Sequence, residues 1–156
     1  METDEIVLRA ETTEDLEFAR RLYASARAGE MARAPWSDEQ KDAFLRSQFQ
    51  LQHAHYRKFY PDAAYQIIVA GGHDIGRIYV YRTRDEIRLM EITILPEYRH
   101  QGIGEKLIRA LMDEAAESNR KVALHVETEN PARHLYERLG FRPIEDEGVY
   151  VLMEWR

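Results

Sequence analysis

One junction constrains this chain more than any other stretch. An apolar run, Leu89 to Leu95, closes at Pro96, and Arg99-His100-Gln101-Gly102-Ile103-Gly104 then opens a helix from Gly102 to about Ser118. That helix repeats apolar residues at Ile103, Leu107, Ile108, Leu111, Met112 and Ala115, the spacing of a single buried face. A strand, a glycine turn and a helix N-terminus in succession make an anion site. The first helical N–H groups have no acceptor within the helix, and the macrodipole is positive there. Gly102 and Gly104 leave the backbone open to close approach by a phosphate. Spacing excludes two phosphate ligand classes. A P-loop ends in Gly-Lys-Ser or Gly-Lys-Thr, whereas Glu105-Lys106 follows Gly104; a dinucleotide fingerprint needs a third glycine where Leu107 stands.

The rest of the chain supplies alternating strands and helices. Ile6 to Ala10 reads as a strand. Thr12 or Thr13 caps a helix with Asp15 in a capping-box position, Leu16, Ala19, Arg20 and Tyr23 forming its face and Gly29 its end. Ser37, with Gln40 three residues on, starts a second helix that carries Leu45, Phe49, Tyr56 and Phe59 and stops at Pro61. Tyr65–Ala70 and Ile75–Arg82 flank the turn Gly71-Gly72-His73-Asp74. Asp85-Glu86 turns the chain into Leu89–Leu95, so three strands form an antiparallel meander. Val122–Glu127 is a strand reached by a parallel crossover. Asn130-Pro131 starts a short helix as cap and first residue, and Gly140 ends it. Phe141–Ile144 and Val149–Trp155 form a hairpin around Asp146-Glu147-Gly148. The order β-α-α-β-β-β-α-β-α-β-β predicts a single α/β domain over 1–156, with its core about 6–155 and a mixed central sheet.

Composition narrows the function. The 156 residues are 44% hydrophobic and 32% charged, which fits a globular fold. The formal net charge of −6 argues against a nucleic-acid partner, which calls for a basic face. No apolar run approaches the roughly 20 residues that span a bilayer, so no membrane partner is expected. The acidic start, Met1-Glu-Thr-Asp-Glu, lacks the basic and apolar regions of a signal peptide, and a cytoplasmic location is the expectation. With no cysteine there is no disulfide, thiolate metal site or cysteine nucleophile. His53 and His55 are two apart on a helix and do not share a face for a metal, so none is expected. The pattern carries no oligomer signature.

Two motifs then resemble one family. Ile94-Leu95-Pro96-Glu97-Tyr98-Arg99-His100-Gln101-Gly102-Ile103-Gly104 is similar to the acyl-CoA motif of the GNAT superfamily of N-acetyltransferases. Asn130-Pro131-Ala132-Arg133-His134-Leu135-Tyr136-Glu137-Arg138-Leu139-Gly140-Phe141 resembles its C-terminal cofactor motif. They stand in the family's order, one helix and one strand apart, and the resemblance extends over nearly the whole chain.

The resemblance implies an acyl-CoA-dependent N-acyltransferase, most simply with acetyl-CoA as acyl donor, and an amine that attacks directly in a ternary complex. It implies that the strands at Leu89–Leu95 and Val122–Glu127 splay and admit the pantetheine arm, which bonds to the backbones of Ile92 and Ile94. Backbone amides of the turn, with His100, Gln101, Gly102, Ile103, Gly104 and Glu105, would hold the pyrophosphate. Glu105 also suits a helix N-terminus as an acidic first-turn residue. Arg99 serves a phosphate or orders the loop, and Asn130 caps its helix with or without a cofactor contact. Tyr136 shares a helical face with Ala132, Leu135 and Leu139, so it packs the core or, as the resemblance implies, protonates the departing thiolate. For the base that deprotonates the amine, Glu91 leads, because a carboxylate within an apolar strand is a partnered structural charge or a working group. Glu127, His125 and a water chain are the alternatives. The segment from Trp36 through Gln48, Gln52, Tyr56 and Tyr60 would cover the acceptor. A small-molecule amine is the expected acceptor, and a protein amine or a non-catalytic acyl-CoA-binding module are the other readings.

Overall fold

The computed structural model describes residues 5–156; the acidic start, Met1–Asp4, lies outside them. The described strands are β1 (Ile6–Ala10), β2 (Ala64–Ala70), β3 (His73–Arg82), β4 (Glu86–Ile94), β5 (Lys121–Glu127), β6 (Arg142–Asp146) and β7 (Tyr150–Trp155). The helices are α1 (Leu16–Ala26), α2 (Ala28–Arg33), α3 (Asp38–Phe59), α4 (Ile103–Glu117) and α5 (Ala132–Arg138). The strands form one mixed sheet in the order β1-β2-β3-β4-β5-β7-β6. The chain divides into two compact units, one of residues up to Ile78 with Thr93–Arg99, the other of Tyr79–Ile92 with His100–Arg156.

In the first unit, β1 pairs antiparallel with β2 from Ile6↔Ala70 to Ala10↔Gln66. Gly71 and Gly72, at φ 56° and 79°, make the two-residue turn into β3, which only an antiparallel hairpin accommodates. Asp15 closes the expected capping box by accepting the Thr12 N–H at 2.8 Å, and Arg9 grips the same carboxylate with two nitrogens at 2.7 and 2.9 Å. This pair, with Thr12, holds Asp15 well below the usual carboxylate range, at about 2. Ser37 and Gln40 form the second capping box, and α3 stops at Tyr60 before Pro61, as the sequence dictates.

Three expectations are corrected here. Gly29 does not end the first helix. Arg27 breaks it, at φ −105° and ψ 8°, with its guanidinium bonded to the Tyr23 hydroxyl at 2.6 Å and to Glu30, and Gly29 sits inside the additional helix α2. Leu16 is exposed; Ala19 and Leu22 bury the α1 face instead. Phe59 is likewise exposed, so α3 buries Phe49 rather than the whole Leu45–Phe59 row.

In the second unit, β4 starts three residues earlier than its apolar run. Glu86 is a strand residue, not a turn residue: its carbonyl accepts the Thr83 N–H at 2.9 Å, and its carboxylate accepts from Arg88 Nε at 2.9 Å. The expected parallel crossover is present, with α4 carrying the chain from β4 to β5. All six predicted apolar residues of α4 are buried. Antiparallel β5·β7 and β6·β7 complete the sheet, with a bulge between Pro143 and Glu145.

Candidate active site

The second unit carries most of the predicted site. Parallel pairing of β4 with β5 runs from Glu86↔Lys121 to Leu89↔Leu124 and ends there. Both strands continue: β4 to Ile92 within this unit, and β5 to Glu127, held on its other side by β7 as far as Glu127↔Tyr150. The strands therefore part at Met90 and His125, where the resemblance places the pantetheine arm. Ile92 is half-buried.

The faces follow from alternation. Glu91 and Val126 continue the face of Leu89 and Leu124. Met90, Ile92, His125 and Glu127 lie on the other. Tyr136 of α5 belongs to the Glu91 face: it is buried, its ring centroid is 5.7 Å from that of Phe141, and it feels the charge of Glu91. Burial, with that charge adding to it, pushes the Tyr136 phenol up to about 12. Such a phenol is fully protonated at neutral pH, the state a proton donor needs. Asn130 is a cap in fact, its Oδ1 accepting the Ala132 N–H at 2.9 Å. Pro131 already has helical φ and ψ of −56° and −25°.

The turn ahead of α4 has the backbone of an anion cradle. His100 and Gly102 both sit in the left-handed region, at φ 62° and 80°. The first helical hydrogen bond runs from the Lys106 N–H to the Gly102 carbonyl at 3.0 Å. The N–H groups of Ile103, Gly104 and Glu105 precede it and have no helical acceptor. A Cβ built on Gly102 would meet nothing within 4 Å, so that side of the turn is open. The Glu105 carboxylate is engaged elsewhere: it accepts from a terminal nitrogen of Arg138 at 2.6 Å and from Arg109 Nε at 3.1 Å, and these ion pairs lower its pKa. Sequence reasoning missed Arg138, because an exposed helix arginine gives no sign of a partner 33 residues away.

The first unit carries the end of β4 and Arg99. The Arg99 Nε donates to the Ile94 carbonyl at 2.8 Å, and a terminal nitrogen lies 3.4 Å from the Ser25 hydroxyl. Arg99 thus orders the strand end and occupies the Ile94 carbonyl. Gly76, also overlooked in the sequence, is the second determinant here: a Cβ on it would lie 2.4 Å from the Thr93 carbonyl oxygen. Its signal was a lone glycine inside a strand.

His125 and Glu127 are exposed on β5, and His125 Nε2 lies 3.1 Å from Glu147 Oε2. Among the described residues no cluster of three metal-ligating side chains occurs, and no helix is long and apolar enough to cross a membrane.

A family model described as an acetyltransferase (GNAT) domain matches residues 61–143. A Bacillus subtilis (strain 168) protein, named provisionally as a [ribosomal protein bS18]-alanine N-acetyltransferase, is 28% identical over 151 residues, covering 91% of this chain and 89% of its own. The PaiA N-acetyltransferase of Thermoplasma acidophilum, solved in complex with coenzyme A, superposes with a TM-score of 0.69 at 22% identity over 97% of this chain and 99% of its own. Arabidopsis thaliana Naa50, solved with the bisubstrate analogue CoA-Ac-MVNAL, does so with a TM-score of 0.63 at 17% identity over 97% and 98%.

Proposed function

The chain belongs to the acetyltransferase (GNAT) family, and from that premise we propose that it transfers an acetyl group from acetyl-CoA to a primary amine by direct attack. The observation that carries this reading is the end of the β4·β5 register at Leu89↔Leu124, on the strand that leads to the open glycine turn. The parts fit an acyl-CoA: free N–H groups at a helix start suit a pyrophosphate, and parted strand edges suit an amide-bearing arm. Bound there, the thioester supplies an activated acetyl group. Ile103, Gly104 and Glu105 would hold the phosphates by their backbones, with His100, Gln101 and Gly102 shaping the turn. Ile92 and Ile94 would offer strand backbone, which for Ile94 means its N–H, since Arg99 holds its carbonyl. Tyr136 gives its hydroxyl proton to the departing sulfur. Glu91, on the same face, takes a proton from the amine nitrogen as the new C–N bond forms. A Glu91→Gln variant should keep its affinity for acetyl-CoA and lose about 10²-fold in turnover; unchanged turnover removes Glu91.

For the acceptor, the name of the Bacillus subtilis relative, given provisionally for a ribosomal-protein alanine, supports the α-amine of a polypeptide. A small-molecule amine, the expectation from the sequence, is the second reading. A thiol-release assay with acetyl-CoA separates them, using alanine-starting peptides beside amino acids, polyamines and amino sugars. The peptides should give the highest kcat/KM. Preference for a small amine reverses the acceptor, and acetyl-CoA binding with no release above buffer for any amine leaves a binding module.

A further inference from the structure

The turn ahead of α4 carries a carboxylate where a phosphate would be held. Glu105 lies in the first turn of α4, and its negative charge opposes an anion at that helix start. Its two oxygens are divided between two arginines. Arg109 Nε donates to Oε2 at 3.1 Å, and a terminal nitrogen of Arg138 donates to Oε1 at 2.6 Å. Arg138 first, and then Arg109, favour its charged form. The Arg109 pair is an ordinary i, i+4 contact within one helix. The Arg138 pair joins the start of α4 to the end of α5, and no helical spacing accounts for it. A cation suits the last turn of α5, which explains an arginine there but not its reach to Glu105.

Exposure sets the two partners apart. Glu105 is 29% exposed and Arg138 61%. Among the described residues Arg138 makes no other hydrogen bond, so most of its donor fork faces solvent beside the turn. A guanidinium fork binds carboxylate and phosphate oxygens by the same geometry, so the two anions compete for it. The neighbouring acid on α5, Glu137, is occupied by Arg133 at 3.0 Å and offers Arg138 no alternative. Acetyl-CoA and CoA carry the same phosphates. Contacts to those phosphates hold substrate and product alike, so strengthening them lowers KM, slows the departure of CoA and adds nothing to the chemical step.

Resting on the acetyl-transfer reading above, we propose that Glu105 competes with the cofactor's phosphates for Arg138, and that this competition sets how fast CoA leaves. Arg138 exchanges between the Glu105 carboxylate and a phosphate oxygen as the cofactor comes and goes. The carboxylate draws the arginine back and weakens the grip on a ligand that substrate and product share. The sign of the effect separates this role from a structural one. A pair that only shaped the turn would bind CoA less well when broken at either partner, whereas a competitor's removal tightens binding.

The test measures CoA affinity by calorimetry, and CoA release by displacement of a fluorescent CoA conjugate, in wild type, Glu105→Gln, Arg138→Gln and the double variant. Glutamine is a good helix former and both side chains lie at helix ends on the surface, so all four proteins should fold. Glu105→Gln keeps the backbone N–H and loses the charge. It should bind CoA roughly 3- to 10-fold more tightly and release it more slowly by a similar factor. Arg138→Gln should bind roughly 3- to 10-fold more weakly. Once Arg138 is gone, the gain from Glu105→Gln should fall to about twofold or less, because there is no arginine to free. The differences should collapse in about 1 M NaCl, where the screening length is about 3 Å. Unchanged or weaker CoA binding by Glu105→Gln overturns the proposal. So does unchanged binding by Arg138→Gln, a gain of the same size with or without Arg138, or one that survives the salt. Wild type is the control: no CoA binding refutes the acetyl-transfer reading itself, whereas binding with flat variant ratios refutes only the competition between Glu105 and phosphate.

Discussion

Tyr136 shows what one side chain can be asked to do. Its position in the Asn130–Phe141 motif was readable from sequence, but the choice between packing and acid was not, because the same helical face serves both. Its surroundings supply the difference: burial, with the Glu91 charge, raises the phenol to about 12. Tyr136→Phe keeps the ring against Phe141 and removes the proton. Turnover should fall about 10²-fold or more, while the melting temperature at neutral pH stays within a few degrees. Wild-type turnover in the folded variant removes the acid role. The same shift has a sign in stability. A phenol whose folded pKa lies above its unfolded value of about 10 stabilises the fold below pH 10, and that contribution is lost as pH rises through about 12. Between those limits wild type should lose on the order of 2 kcal/mol relative to Tyr136→Phe, measured as the difference between their alkaline unfolding curves.

Among the elements, β4 is the one most shaped by what a sequence does not display. Its apolar run and its exit into a glycine turn were legible; its true start at Glu86 was not, because a charged residue that pairs within a sheet looks like a turn residue. Gly29 misled for the converse reason: glycine marks a helix end only when the chain needs a left-handed residue there, and Arg27 makes the break by other means. Gly76 is the informative lone glycine, since any side chain at that position meets the Thr93 carbonyl backbone. Gly76→Ala should cost about 2 kcal/mol, a fall of roughly 4–8 °C in melting temperature. It should also weaken acetyl-CoA binding by displacing the backbone at Thr93 and Ile94. A variant with wild-type melting and affinity shows that this close approach does not set the strand end.

At the scale of the whole molecule, the order of the strands, the helices other than α2, the parallel crossover and the open glycine turn before α4 were legible, because periodicity, caps and glycine spacing are local signals. Arg138 on Glu105 and Glu147 on His125 were not, because each joins residues that no local pattern connects. The proposed acetyl transfer depends on the turn from His100 to Glu105 holding an acyl-CoA pyrophosphate. The most direct test is calorimetric titration of acetyl-CoA into wild type and Gly102→Asn. Asparagine tolerates the left-handed conformation at φ 80°, and its Cβ enters open space, so the fold should persist with melting within a few degrees of wild type. Acetyl-CoA should bind wild type, with an affinity at least about tenfold weaker in the folded variant, roughly 1.4 kcal/mol. Unchanged affinity in the folded variant, or no heat of binding with wild type, contradicts a pyrophosphate site at this turn.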